Sequence, residues 1–474
     1  EYSFELSAND LRYFEEASTE SVEAGYKTES ALKWRDVRLK HDGKTYKVKM
    51  ALFGDRPPHF NSTKKSFKVK AAKDEFVDNK RRFNLILPEI RGFFSPLFAE
   101  SLAKDLGMFP PQYEIVAVKI NGMQQGLYLA EEGRDKYYTE RNRQPGMLIL
   151  QYTDNWIEDH PVTRPGSGVM APGGYDYSAG VLYGTGHNTP FDLDISNMEK
   201  TDSEHAQQAM YKLHQLFKAV RTNDQSKFEE LIDIENASSF EAWRALTGNT
   251  HDFTGDGLRM FYDTTTGKFG FVPRVEGGMS SLSVYRGGID NYLSTYAGLP
   301  VPILRYLLRN SKLRNMRNEK IYEMLQESDK LLQHYNALDK KYRPMFLDDS
   351  TIVWSSRETN NLISKQAQCF HGNLGTLQAQ FDYSKAYINA IKEGSRLTLE
   401  VVPDSTTAIR FTNLLVEVGQ GTANATVKVF DERGQLVSEE TIAGSSTLQL
   451  REQANKNTIQ ASLGEEMEPV RTVF

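Results

Sequence analysis

The chain has 474 residues, of which 39% are hydrophobic and 25% are charged, a composition typical of a protein with a packed core and not of a disordered one. The formal net charge is 57 − 63 = −6, so binding to nucleic acid has no overall electrostatic support. The single cysteine, Cys369, excludes an intramolecular disulfide framework and a cysteine-rich zinc module, and no apolar run reaches the roughly 18 residues of a transmembrane helix.

Residues 1–75 are predicted to be mostly strand. The segment 37–50 alternates apolar and polar residues, which is the period of a half-buried strand. Asp42 and Gly43 interrupt it, and this pair predicts a hairpin turn because both residues tolerate positive φ. The segment 66–70 alternates in the same way and places its lysines on one strand face. An antiparallel meander is therefore expected to open the chain.

The next elements are a helix and a hairpin. Apolar residues at helical spacing predict a helix over 95–107. The apolar run 115–120 then predicts a buried strand, and Asn121-Gly122 is a strong hairpin signal. The returning strand is expected at 126–130.

Helices are predicted at 202–248, 301–338 and 356–393 from apolar residues three and four positions apart. After Gly394 the composition shifts to Thr, Val and Ser, with short alternating stretches that predict strands. The expected domain division follows from these shifts: a β-rich part over 1–155, a mainly helical part over 156–394 with a Gly- and Tyr-rich insertion at 160–190, and a small β-sandwich over 395–474.

Three segments stand out for chemistry when read together. The first is the lysine-rich strand 64–70 after a polar loop, which could hold phosphates, although alone it also fits a solvated strand face. The second is the Asn-Gly hairpin 120–132, which alone is an ordinary hairpin. The third, 246–278, runs from a helix end through an acidic loop and a short hairpin to another acidic residue. Its layout suits metal–phosphate chemistry, with one carboxylate orienting a hydroxyl and others holding Mg²⁺.

Over residues 30–390 the chain resembles the CotH kinase family, named for a bacterial spore-coat protein. The resemblance is carried by the Lys-Lys-Ser-aromatic strand at 64–67, by the hairpin 121–132 with its Gly-x-Tyr and Glu, and by the Asn-x-x-Asp loop at 249–252. It implies a kinase-like fold with two lobes, an antiparallel sheet followed by a mostly helical lobe. It also implies phosphate transfer from ATP, with Mg²⁺ or Mn²⁺, to Ser or Thr of surface or matrix proteins, and an exported or cell-surface protein.

The same resemblance implies roles for individual residues. Asp252 would orient the acceptor hydroxyl as catalytic base, two lysines would hold ATP phosphates, and a glutamate would pair with a lysine as in kinases. A carboxylate in the acidic loop and one after the hairpin would bind the metal. Arg274 stands where the family has Trp, and beside the site it could contribute positive charge in place of a metal. The residues assigned in this way are catalytic Asp252, nucleotide-binding Lys65, Lys68, Glu132 and Arg274, and metal-binding Glu276 and Asp256.

Two departures from the family pattern keep a second interpretation open. Gly257 stands where the family has a metal-binding Asn, and Val275 stands where the family has an Asp. The metal site is therefore degenerate, and the alternative is an inactive scaffold that binds a protein partner, or a glycan at the C-terminal sandwich. A sugar-active enzyme that uses Asp252 and Asp256 as paired carboxylates is a weaker third interpretation.

Overall fold

A computed structural model of the chain describes residues 1–152, 193–195, 204–249, 258–279, 303, 307 and 310–382, and eight strand segments between 386 and 473. Short gaps fall inside these ranges at 26, 55–56, 61–63, 143, 145 and 276–277. The predicted insertion 160–190 lies outside the described residues.

The first seven strands form a closed barrel in the order β1-β2-β3-β4-β5-β7-β6. Neighbouring strands are antiparallel except β1 and β6, which pair in parallel and close the barrel. The predicted two-lobed kinase-like fold, with an antiparallel sheet as its first lobe, is therefore wrong. The strands are β1 (Tyr2–Glu5), β2 (Arg35–His41), β3 (Lys44–Leu52), β4 (Phe67–Ala71), β5 (Arg82–Ile86), β6 (Tyr113–Ile120) and β7 (Met123–Glu132).

Alternation along the strands fills the barrel with apolar side chains. On β3, Val48 and Met50 are buried in the barrel core while Lys47 and Lys49 are exposed. The predicted turns at Asp42-Gly43 and Asn121-Gly122 are confirmed, since all four residues have positive φ.

Helix α1 (Ala8–Ala24) was not expected, because residues 1–75 were predicted to be mostly strand. Ser7 caps its start by accepting a 3.1 Å hydrogen bond from the Asp10 N–H, and Gly25 ends it in the left-handed conformation. Its buried side includes Ser18 and Ser21, so the sequence lacks the strong apolar stripe that marks most amphipathic helices.

A helical portion and a second sheet follow the barrel. The predicted helix near 95–107 is confirmed as α2 (Ser95–Asp105), and α3 is Lys136–Arg141. The four-stranded sheet has the order β11-β10-β8-β9. Its strands are β8 (Met147–Tyr152), β9 (Leu193–Ile195), β10 (Arg259–Asp263) and β11 (Lys268–Phe271).

The largest apolar core lies between the helices and this sheet. The central helix of this core is α6 (Ile234–Thr247). Its Trp243 is buried and donates a 2.9 Å hydrogen bond from Nε1 to the Ala99 carbonyl of α2. The helices after α3 are α4 (Glu204–Thr222), α5 (Gln225–Leu231), α6 (Ile234–Thr247), α7 (Ser311–Gln326), α8 (Ser328–Asp348) and α9 (Ser356–Asp382).

The predicted β-sandwich over 395–474 is wrong. The C-terminal strands instead form a five-stranded sheet, which already begins at Ala386, and a three-stranded sheet. The five-stranded sheet has the order β12-β13-β18-β15-β16 and the three-stranded sheet the order β17-β14-β19. The first sheet begins at Ala386, inside the segment predicted as helix to 393. The domain boundaries near 155 and 394 stay predictions. The strands are β12 (Ala386–Glu393), β13 (Arg396–Pro403), β14 (Asn413–Glu417), β15 (Ala425–Phe430), β16 (Leu436–Ile442), β17 (Ser446–Gln449), β18 (Asn457–Leu463) and β19 (Arg471–Val473).

Candidate functional site

Strand β7 joins two of the motifs recognised in the sequence. The Tyr128 hydroxyl donates a 3.0 Å hydrogen bond to the Lys65 carbonyl, and the Lys64 ammonium lies 4.9 Å from the centroid of the Tyr128 ring. The Lys-Lys-Ser segment, which directly precedes β4, is therefore in contact with the Gly-x-Tyr part of β7. This contact gives a physical reason for the two motifs to occur together.

The Lys64 ammonium is held in a buried ion pair. Its Nζ lies 3.4 Å from Asp349 Oδ2, and the side chains are only 2% and 5% exposed. The Leu127 N–H donates a 2.7 Å hydrogen bond to the same oxygen, and Thr351 donates to the other. Burial alone would raise the pKa of Asp349, but the Leu127 hydrogen bond, the Lys64 charge and Thr351 together hold it below its usual value. Asp349 is therefore ionised where it meets the barrel.

Glu89 brings a second carboxylate toward Lys64. Burial raises the pKa of Glu89 and the Lys64 charge only partly opposes this, while burial lowers the pKa of Lys64. Both carboxylate oxygens of Glu89 are buried, and neither has a hydrogen-bond partner within the described part of the chain. A buried carboxylate of this kind is the group that a cation would stabilise.

An arginine cluster surrounds Glu131 on the same strand. The Glu131 side chain is 1% exposed and its Oε1 accepts from Arg274 Nε at 3.2 Å and from an Arg134 guanidinium nitrogen at 3.0 Å. Burial would raise the pKa of Glu131, but the charges of Arg274, Arg134 and Arg91 hold it well below its usual range. We call Arg91, Arg134, Arg274 and Glu131 the arginine cluster; its formal charge is 3 − 1 = +2.

Arg274 also connects this cluster to the end of helix α6. The helix ends at Gly248 in the left-handed conformation, and the next residue, Asn249, donates a 2.9 Å hydrogen bond from Nδ2 to the Arg274 carbonyl. Burial and neighbouring cations lower the pKa of Arg274 to about 9 despite the Glu131 charge, so the guanidinium is still protonated at neutral pH. The predicted Asn-x-x-Asp loop therefore starts at the arginine cluster.

Each predicted site residue within the described part of the chain has its own partner. Lys65 Nζ lies 2.9 Å from Glu15, and Lys68 Nζ lies 5.9 Å from the centroid of the Phe53 ring. Glu132 accepts from Arg141 Nε at 2.9 Å, whereas the predicted role paired it with a lysine. Arg274 is in the cluster described above. Asp252, Asp256 and Glu276 lie outside the described residues.

Several candidate residues were missed by sequence reasoning. The missed side chains are Lys64, Glu89 and Asp349, together with Glu131, Arg91 and Arg134. Lys64 and Asp349 are separated by 285 residues and Glu131 and Arg274 by 143, so no local spacing reveals either contact. Two local signals were present: Lys64 lies in the Lys-Lys-Ser motif, where Lys65 and Lys68 were chosen instead, and Glu131 lies beside the chosen Glu132.

A separate group of metal-ligand type lies near the β2–β3 turn. Single ligand atoms of His41, Asp42 and Asp78 all lie within 4.8 Å of one another. His41 Nε2 is hydrogen-bonded to Asp78 at 2.8 Å, and the Tyr2 hydroxyl donates to the same carboxylate at 2.7 Å. These contacts account for the group as a hydrogen-bond network.

The family model for CotH kinase protein matches residues 58–390, more than two thirds of the chain. The chain belongs to the CotH kinase protein family. The match starts before β4 and therefore contains both motif contacts on β7 and the arginine cluster. CotH membership implies the use of ATP and a metal ion in general. No curated protein matches the chain. Within the described residues no helix is both long enough and apolar enough to cross a membrane.

Proposed function

We propose that the chain is a CotH-type protein kinase that transfers phosphate from ATP to Ser or Thr of surface or matrix proteins. The observation that supports this proposal is the arginine cluster at the start of the loop that carries Asn249 and Asp252. Planar guanidinium groups match phosphate oxygens with paired hydrogen bonds. Phosphoryl transfer needs fixed positive charge, because the transferred group is highly charged, and the candidate base Asp252 follows Asn249 by three residues in the sequence.

The described donor groups fit a nucleoside triphosphate and a divalent cation. The arginine cluster supplies positive charge for phosphates, and the two buried Glu89 oxygens supply carboxylate character for a cation. ATP would supply the transferable phosphoryl group. In the proposed roles Lys65 and Lys68 add charge near the phosphates, and Glu276 with Asp256 holds Mg²⁺ or Mn²⁺.

In the proposed step, Asp252 accepts the proton of the acceptor hydroxyl. The hydroxyl oxygen then forms the new bond to the γ-phosphorus as the bond from that phosphorus to the bridging oxygen of ADP breaks. Arg274 would stabilise the charge on the departing oxygens. Glu132 orients Arg141 and so supports the strand from which the cluster is built.

The test is phosphate incorporation from labelled ATP into a serine-rich acceptor protein, with Mg²⁺ or Mn²⁺ and the full chain. Asp252→Asn should abolish transfer while leaving nucleotide binding in place, because the base acts on the acceptor. Arg274→Gln should weaken binding and transfer together. Transfer that persists undiminished in Asp252→Asn would refute the assigned base.

A catalytically inactive CotH scaffold is the second candidate, and one observation favours it. Val275 is 3% exposed and packs in the main apolar core, so this family carboxylate position offers no metal ligand. Such a scaffold would bind a protein partner, or a glycan through the C-terminal sheets. Thermal unfolding separates the candidates: ligand at 100 times its dissociation constant should stabilise a nucleotide-binding chain by about 2.7 kcal/mol. No shift with ATP and divalent metal would favour the scaffold.

We propose a surface location for either candidate, in keeping with the family's spore-coat name.

A further inference from the structure

The outer face of strands β2–β5 carries a group of cations that the proposed phosphate transfer does not use. Residues 33–82 hold 16 basic and 6 acidic residues, a formal charge of +10 in a chain whose total is −6. We define the basic face as five outward residues of these strands: Arg38, Lys47, Lys49, Lys70 and Arg82.

The strand register places like charges directly opposite one another. Arg38 is paired with Lys47, Lys49 with Lys70, and Lys70 with Arg82. Like charges at directly opposed positions destabilise a sheet. The same register sets Glu5 opposite Arg38 and Asp36 opposite Lys49, so each row of cations is relieved at one end only. The like-charge pairs that remain favour a use of this face other than folding.

Nearby carboxylates offset the charge only in part. Asp36 lies 3.3 Å from Lys49, but the side chains are 83% and 55% exposed, so the pair is worth little. Asp135 lies 3.9 Å from Arg82. Arg35 pairs with Asp10. Glu5 lies opposite Arg38 in the β1–β2 register and also pairs with Lys40, so it is a further carboxylate on this face. With Lys40 counted beside the five residues, and Glu5, Asp36 and Asp135 counted against them, this face carries a formal charge of 6 − 3 = +3.

Two general uses of surface lysines do not explain this face. Lysines on an exposed edge strand prevent edge-to-edge aggregation, but a closed barrel has no edge strand. Lysines also raise the net charge of a chain for solubility, but here they reduce it, because the remainder of the molecule is acidic.

We propose that the basic face is a docking site for an acidic segment of a partner protein. Charge complementarity supports this occupant, because a dense cationic face attracts and orients a carboxylate-rich chain. The outward positions of the described strands β2–β5 include no aromatic residue on which a base could stack, which disfavours a single-stranded nucleic acid. The acidic remainder of the molecule also opposes long polyanions more than it opposes a short acidic segment.

The test measures fluorescence anisotropy of a fluorescein-labelled glutamate–serine peptide on the full chain, without ATP. A lysine–serine peptide of the same length and a labelled oligothymidine serve as comparison probes. The glutamate–serine peptide should bind, and its affinity should fall as salt is raised. Lys47→Gln/Lys49→Gln should weaken its binding roughly fivefold, since two of five cations are lost.

The matched control is Lys312→Gln/Lys340→Gln, which removes two exposed lysines of the helical portion and the same total charge. It should leave the peptide affinity unchanged. Equal weakening in both double variants, or no preference for the acidic peptide, would overturn the proposal. Tighter binding of oligothymidine would overturn it in favour of a polyphosphate partner.

A stability readout checks that the variant folds. Lys47→Gln/Lys49→Gln relieves two opposed like-charge pairs, so its unfolding midpoint in urea should equal or exceed that of the wild type. Because neither measurement involves phosphate transfer, failure of the proposed kinase activity and failure of the docking site are distinguishable.

Discussion

Gly126 lies on β7, where the barrel contacts Asp349 and Thr351 in the loop after helix α8. Gly126→Ala should disrupt this contact and lower the free energy of unfolding. Gly126 has φ +79° beside a register shift in the β6–β7 pair. A Cβ there would lie 2.0 Å from Thr351 Oγ1 and 2.4 Å from Asp349 Oδ1. No Cβ tolerates such distances, so the Asp349 carboxylate and the Thr351 hydroxyl must move away from the strand.

The expected loss is the sum of two contributions. Positive φ in alanine costs about 1–2 kcal/mol. Moving Asp349 forfeits its 2.7 Å hydrogen bond from Leu127 and weakens its Lys64 ion pair, which adds about 2–3 kcal/mol for a charged acceptor. The total is about 3–5 kcal/mol in the free energy of unfolding, measured by urea titration with tryptophan fluorescence.

Gly122→Ala is the matched control for this prediction. Gly122 has φ +80°, but a Cβ there would have nothing within 4 Å. Gly122→Ala should therefore lower the free energy of unfolding only by the cost of positive φ in alanine, about 1–2 kcal/mol. In an Asp349→Ala/Thr351→Ala background, Gly126→Ala should cost no more than Gly122→Ala does. Equal losses for the two glycine variants in the wild-type background would refute the reasoning.

Three further predictions follow from buried titratable groups. Glu131→Gln should cost about 3–5 kcal/mol at pH 7 in urea unfolding, because it leaves buried guanidinium groups without their carboxylate. The native pKa of Glu131 is depressed, so its carboxylate stabilises the fold fully above the unfolded pKa of about 4.3, and this stabilisation is lost as the pH falls below that value. The free energies of unfolding of the wild type and of Glu131→Gln should therefore converge in acid. A difference that stays constant with pH contradicts this prediction. The pKa of Glu89 is raised, so the wild type loses stability as the pH rises above the unfolded pKa of about 4.3. Glu89→Gln should therefore be at least as stable as the wild type at pH 7. A variant less stable than the wild type would contradict the raised pKa. Burial raises the pKa of the Cys369 thiol, so a disulfide reagent should label it slowly in the native chain and fast in urea; equal rates would show an accessible thiol.

Local chemistry explains which elements the sequence predicted correctly. The Asp42-Gly43 and Asn121-Gly122 turns depend on two adjacent residues that tolerate positive φ, so no distant partner is needed to recognise them. Helix α2 likewise carries a clear apolar pattern. Helix α1 was missed because small polar residues occupy much of its buried side, and β12 was taken for helix because Ile388 and Ile391 also fit helical spacing.

The global fold and much of the site depend on contacts that local patterns do not encode. Barrel closure requires β1 to pair with β6, and the Lys64–Asp349 pair joins the barrel to the turn between α8 and α9. The family motifs singled out residues of β7 and Arg274, and the roles given to them stay predictions. They did not single out Glu131, although its burial among arginines makes it the centre of the cluster.

The closure of the barrel by its first strand has a consequence for the order of folding. Phe4 is paired with Leu39 on one side and with Ile120 on the other, so β1 completes its pairing only after β6 has been synthesised. A sheet that forms once β2 is complete therefore keeps an open strand edge on β1 until β6 is complete, over 120 − 41 = 79 residues of synthesis. Long-range pairing of this kind slows folding and exposes strand edges meanwhile. Chaperone demand during synthesis should accordingly be concentrated before β7 emerges.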